Sequence, residues 1–137
     1  MTQEYEITAG DFTNAGYASS KIKKTLKQLG VNPTIIKRAV VALYEAEVNI
    51  VAHSFGGVIT ADIESDGIKV VFKDRGPGIP DIEKAMVKGF STASDQVREM
   101  GFGAGMGLPN IKDNADDLKI ESKDGVGTVV TIYLKFN

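Results

Sequence analysis

The chain has 137 residues and a mass of 14.7 kDa, the size of one compact domain, so a single domain over residues 1–137 is expected. Its 42% hydrophobic and 25% charged residues exclude a disordered or collagen-like chain. A formal net charge of −2 gives no global attraction for polyanions and argues against nucleic acid as a direct partner.

Residues 4–8 read as a short strand, and residues 15–29 carry a helical pattern closed by Gly30. Asn32 and Pro33 then signal a helix start, Asn as N-cap and Pro at the first helical position. That second helix should run over residues 33–53 and stop at Gly56-Gly57, with Ile36, Val40, Leu43, Ile50 and Val51 facing a core. Residues 58–65 and 68–74 read as two strands joined at Asp66-Gly67, a strong hairpin signal. A short helix over 82–88 follows, then a loop punctuated by glycines as far as Gly107. A short helix over 109–114 and strands over 118–122 and 128–136 close the chain. This order predicts an α+β fold: a two-layer α/β sandwich, with helices on one face of a mixed, mostly antiparallel sheet.

With no cysteine there is no disulfide, thiolate metal site or Cys nucleophile, and with one histidine a Ser-His-Asp triad would rest on His53 alone. The first residues have no basic and apolar signal-peptide pattern, and no apolar run reaches the roughly 18–20 residues of a membrane span. A cytoplasmic protein without a membrane partner is expected.

In the second helix Glu45, Asn49 and His53 follow at steps of four and share one face, with Ala42, Ala46 and Ala52 leaving room beside it. A carboxylate and an amide oxygen are hard donors that suit Mg²⁺ better than zinc, although the spacing also fits a solvated polar face. His53 fits equally a contact to phosphate or sugar and a helix-end contact to carbonyls. Glu47, two residues beyond Glu45, points to another face and reads as surface.

Glycine is in excess: 15 residues, of which nine lie between Gly76 and Gly127, so part of this backbone must turn sharply or approach something closely. At the end of a predicted strand stands Asp74-Arg75-Gly76-Pro77-Gly78-Ile79. Its Asp can accept a ligand's amino group, and its glycines let backbone lie against a flat base; a plain turn is the alternative. The run Gly101-Phe102-Gly103-Ala104-Gly105-Met106-Gly107-Leu108-Pro109 leads into a helix and can present free amides to a phosphate, or act as a hinge. Gly125-Val126-Gly127-Thr128 is a hairpin turn whose Thr128 can offer a hydroxyl to a phosphate.

Taken in order, Glu45/Asn49, Asp74-x-Gly76-x-Gly78, Gly103-x-Gly105-x-Gly107-Leu108 and Gly127-Thr128 resemble the nucleotide boxes of the GHKL ATPases over residues 34–134. Gly76-Pro77-Gly78-Ile79-Pro80-Asp81-Ile82, Gly89-Phe90-Ser91-Thr92 and Gly107-Leu108-Pro109 are most similar to the bacterial anti-sigma-factor serine/threonine kinases, closest to the RsbT-type switch kinases. The resemblance implies a Bergerat fold binding ATP and Mg²⁺. Asn49 would hold the metal, and Glu45 would be the base on an incoming serine hydroxyl. Asp74 with Gly76, Gly78 and Ile79 would take the adenine. Gly103, Gly105, Met106, Gly107 and Leu108 would surround the phosphates, with Thr128 beside them and residues 81–103 as a lid.

The family often carries a basic residue where Met100, Gly101 and Phe102 stand; Arg98 is either a substitute for it or a solvated side chain. The implied partner is a STAS-domain anti-anti-sigma or scaffold protein, with a sigma factor, a phosphatase or a homodimer left open. An ATP-dependent anti-sigma factor or phosphatase-activating module without turnover is the alternative. A histidine-kinase half would need a phospho-accepting His ahead of the ATP domain, and His53 lies inside it. Lys21, Lys23, Lys24 and Lys27 form a basic stripe on the first helix, either simply solvated or docking an acidic partner.

Overall fold

The structure, a computed structural model, describes residues 1–76, 107–123 and 125–136. In chain order it contains β1 (Thr2–Ile7), a 3-10 turn at Phe12–Asn14, α1 (Tyr17–Gln28), α2 (Pro33–His53), β2 (Gly57–Ile63) and β3 (Gly67–Asp74). After these come α3 (Gly107–Asn114), β4 (Asp117–Lys123) and β5 (Gly127–Lys135). The strands form one sheet in the order β1-β2-β3-β5-β4, and every observed pair is antiparallel. No parallel pair of the expected mixed sheet occurs among the described residues. The helix expected over 82–88 lies outside them.

Local sequence explains the helix ends. Asn32 Oδ1 accepts the Thr34 N–H at 2.8 Å, with Pro33 opening α2. At the end of α1, Gly30 has φ +75°. The Gly30 N–H donates to the Lys27 carbonyl at 3.1 Å and the Val31 N–H to the Leu26 carbonyl at 3.1 Å. That pair of hydrogen bonds is a Schellman cap, closed by Val31 packing on the core that holds Leu26. β1 begins two residues earlier than its sequence pattern suggests, because its pairing with β2 extends to Thr2 opposite Asp62.

The β2–β3 hairpin forms as expected, but Gly67 serves it differently. Its φ is not positive, and the Glu64 N–H donates to the Gly67 carbonyl at 2.9 Å, which makes Ser65 and Asp66 the loop residues. A Cβ on Gly67 would stand 2.6 Å from the Leu134 carbonyl oxygen. The glycine is there for the close approach of β5 to β3, not for a left-handed turn.

One face of the sheet forms the core. Ile59, Ala61, Ile63, Ile68, Val70, Phe72, Val130, Ile132 and Leu134 are buried with Ile22 and Leu26 of α1, Ala39, Leu43 and Ile50 of α2, and Leu108 and Ile111 of α3. The other face carries alternate residues such as Lys69, Lys73 and Tyr133, which are exposed. This is the expected two-layer arrangement.

α2 lies centrally, and this corrects the reading of Glu47. Its side chain is 0% exposed and faces the start of α1. Oε2 accepts the N–H groups of Gly16 at 2.8 Å and Ala18 at 3.3 Å. Oε1 accepts the Ser19 N–H at 2.9 Å and the Ser19 Oγ–H at 2.7 Å. The first turn of α1 has no side-chain cap of its own, so a carboxylate from another helix satisfies its unpaired amides and complements its dipole. The face opposite the Glu45–Asn49 stripe is therefore buried as well, against α1.

Candidate functional site

Glu45 and Asn49 stand one turn apart on α2, both half-buried. Glu45 faces α3: the Asn110 amide donates to Glu45 Oε1 across 3.4 Å. α3 is anchored there because Leu108, Pro109 and Ile111 are buried. It starts at Gly107, two residues ahead of the sequence expectation, so the helix N-terminus directly follows the glycine run. Leu108 is a core residue at 6% exposure.

Asp74 ends β3 and pairs with Gly57 at the start of β2. A Cβ on Gly57 would run into the Lys73 carbonyl oxygen, so only glycine lets the strands close there. The exit of α2 is bonded to the same place. The Phe55 N–H donates to the Arg75 carbonyl at 3.0 Å and the Arg75 N–H to the Gly56 carbonyl at 2.9 Å. These bonds put the C-terminal end of α2, one turn beyond Asn49, next to the end of β3.

Thr128 reaches this end of the sheet too. Its N–H donates to Asp74 Oδ1 at 2.9 Å, and its side chain is buried at 5% exposure. The hydroxyl that the sequence offers to a phosphate lies 3.1 Å from Ser122 Oγ. Partial burial holds the Asp74 carboxyl above the usual carboxylate range, and the Thr128 N–H pulls it part of the way back. A half-desolvated carboxylate with one oxygen fixed by a backbone amide is suited to directional recognition of an N–H donor.

Gly76 is buried, with its N–H on the Val126 carbonyl at 2.6 Å. Among the described residues, a Cβ on Gly76 would meet the Val126 carbonyl oxygen at 3.4 Å, an ordinary contact. Gly127, with φ +152°, is tighter, since a Cβ there would collide with the Asp74 carbonyl oxygen. Gly127 thus allows β5 to bring Thr128 onto Asp74.

Gly78, Ile79, Gly103, Gly105 and Met106 lie outside the described residues, as do Arg98 and the lid expected over 81–103. His53 is the last residue of α2, but its side chain is outside the description. Lys21, Lys23, Lys24 and Lys27 are all exposed, with Lys21 Nζ 5.5 Å from the centre of the Tyr17 ring.

For Mg²⁺ the donor chemistry is suitable: the amide oxygen of Asn49 is a hard ligand, and it lies one helix turn from the Glu45 carboxylate. Among the described residues no three His, Cys, Asp or Glu side chains gather to hold a metal. A Mg²⁺ here would complete its shell with water and phosphate, as this ion ordinarily does. Also among the described residues, no helix is long and apolar enough to cross a membrane.

Sequence reasoning missed two partners of the site, Asn110 and Ser122. No local motif marks either one; both are recruited by contacts between distant segments.

The comparisons with known proteins agree with this fold. Residues 34–137 match the histidine kinase-, DNA gyrase B- and HSP90-like ATPase family. The chain is 35% identical over 112 residues to the serine/threonine-protein kinase RsbT of Bacillus subtilis, covering 79% of this chain and 78% of that protein. It is also 35% identical over 124 residues to the anti-sigma F factor of a Thermoanaerobacter species, covering 85% of this chain and 82% of that protein. In fold it is similar to the crystal structure of the RsbU and RsbW domains of a Mycobacterium tuberculosis protein. That match has a TM-score of 0.62 at 18% identity and covers 96% of this chain but only 32% of the longer one. An α+β sandwich whose residues 34–137 match this family model has its assignment: the chain belongs to the histidine kinase-, DNA gyrase B- and HSP90-like ATPases.

Proposed function

We propose that this protein is an ATP-dependent serine/threonine kinase of a bacterial partner-switching module, which passes the γ-phosphate of ATP to a serine or threonine of a STAS-domain partner. The observation that carries the reading is Glu45, half-buried on α2 and facing the N-terminal turn of α3. Support also comes from similarity to a protein named as a serine/threonine kinase.

In this reading Asp74, oriented by the Thr128 amide, accepts the adenine amino group, and Gly76, Gly78 and Ile79 lie along the base. The amides of Gly103, Gly105, Met106, Gly107 and Leu108 bind phosphate at the start of α3, where free N–H groups and the helix dipole favour negative charge. Asn49 would hold Mg²⁺, which supplies charge neutralisation on the phosphates. Glu45 takes the proton from the serine or threonine hydroxyl as its oxygen attacks the γ-phosphorus. The bond from that phosphorus to the β–γ bridging oxygen breaks, and ADP leaves.

The test is transfer of labelled phosphate from ATP with Mg²⁺ to the STAS-domain protein encoded beside this one. A fall in transfer of about a hundred-fold or more, to a small residual rate, is expected in Glu45→Ala. No transfer, or transfer indifferent to Glu45→Ala, overturns the kinase reading.

Similarity to proteins named as anti-sigma F factors supports a second reading, ATP-dependent capture of a partner without turnover. Capture that needs ATP but survives Glu45→Ala, with no transfer, would favour it.

A further inference from the structure

We infer that Asn110 is a positioning residue for Glu45, bracing the base from the helix that follows the phosphate-binding glycines. The inference rests on the kinase reading above and adds to it a residue outside the sequence boxes that carry that reading.

Glu45 stands on α2 and Asn110 on α3, 65 residues apart in sequence, and the Asn110 side-chain amide donates to Glu45 Oε1 at 3.4 Å. A half-buried carboxylate on a helix has several rotamers open to it, and a general base works only when one oxygen is aimed at the hydroxyl it deprotonates. A donor on Oε1 restricts that freedom and leaves Oε2 as the acceptor for the hydroxyl proton.

The brace has a fixed footing. Pro109 and Ile111, the neighbours of Asn110, are buried, and the Asn110 carbonyl accepts the Asn114 side-chain amide at 2.8 Å. Asn110 lies one turn beyond Gly107, where α3 begins. The orientation of Glu45 is thereby tied to the helix whose N-terminus meets the phosphates. At 3.4 Å the bond is long, so the expected contribution is alignment of the base rather than a large share of stability.

The experiment compares Asn110→Ala, Asn110→Asp and Asn110→Gln in steady-state phosphotransfer, with ATP affinity measured separately by calorimetry. Asn110→Ala and Asn110→Asp should lower kcat about ten-fold, a modest part of what a general base contributes. Their ATP affinity should stay within about two-fold of the parent, because a brace on the base contacts no nucleotide. Asn110→Gln keeps the donor and should hold kcat within about three-fold. In a Glu45→Ala background, Asn110→Ala should change the residual rate by less than about two-fold, since the residue acts only through Glu45.

Full kcat in both Asn110→Ala and Asn110→Asp overturns the proposal. So does a loss confined to ATP affinity, or a loss that persists undiminished in the Glu45→Ala background. Transfer by the parent protein that ignores Glu45→Ala defeats the kinase reading itself, and that is read from the parent and Glu45→Ala alone. Thermal melting of each variant separates lost folding from lost alignment, with Asn110→Gln as the folded reference.

Discussion

Replacing Glu47 removes the acceptor for four donors at the start of α1: the amides of Gly16, Ala18 and Ser19 and the hydroxyl of Ser19. Ala18 and Ser19 are 0% and 3% exposed, so water cannot replace the carboxylate without opening the packing. In Glu47→Ala the Ser19 hydroxyl can turn back to a helix carbonyl, but the two buried amides cannot. At about 1–3 kcal/mol for each buried unsatisfied donor, and with the partly buried Gly16 amide in addition, the expected loss is about 3–5 kcal/mol. That is a large share of the roughly 5–15 kcal/mol available to a domain.

Glu47→Gln keeps the shape and one oxygen, yet its amide nitrogen must face an N–H group that cannot accept. A loss of about 1.5–3 kcal/mol follows. For a chain of this length that lowers Tm by roughly 5–12 °C. Urea titration of both variants measures the loss. Hydrogen exchange at Ala18 and Ser19 should speed up before exchange in β3 and β5. Glu47→Gln and Glu47→Ala each within about 0.5 kcal/mol of the parent would refute the claim that this carboxylate holds the first turn of α1.

Asp74→Asn should abolish most ATP affinity, seen by calorimetry, while the nucleotide-free protein stays folded because an Asn oxygen can still accept the Thr128 N–H. The Asp74 carboxyl is raised by burial, so its stabilising share is complete below the ordinary carboxylate pKa near 4 and is lost as pH rises through the raised value. Asp74→Asn should therefore gain on the parent in urea titrations as pH rises from about 4 towards neutrality; a gap that widens on acidification contradicts the assignment. Gly127→Ala forces a Cβ against the Asp74 carbonyl oxygen at φ +152° and should cost about 2–3 kcal/mol. Melting at the parent temperature would show that β5 does not need this glycine.

Much of the fold was legible because it is encoded locally. The Asn32-Pro33 start of α2, the Gly30 end of α1 and the β2–β3 hairpin each rest on residues within one turn of each other, where side-chain type limits backbone geometry. The placement of Glu45 and Asn49 on α2 and of Asp74 at the end of β3 was readable for the same reason, since each follows from the local pattern of its own element.

The failures share a different cause. A three- or four-residue period assumes one buried helix face, and under that rule Glu47 belongs outside. α2 instead packs against α1 on one side and α3 on another, so a polar residue on the second face is buried and finds its donors 28–31 residues earlier. The glycine at position 67 looked like a turn residue because Asp-Gly usually is one, whereas its reason is a carbonyl on β5. By itself, then, the sequence determined the described helices and strands, the Gly30 and Asn32 caps and the order of the ATP-family boxes. Only tertiary structure decided that Glu47 caps α1, that Thr128 fixes Asp74 and that Asn110 meets Glu45. Each of those contacts joins segments brought together by burying a common core, and no local pattern records which partners that core will choose.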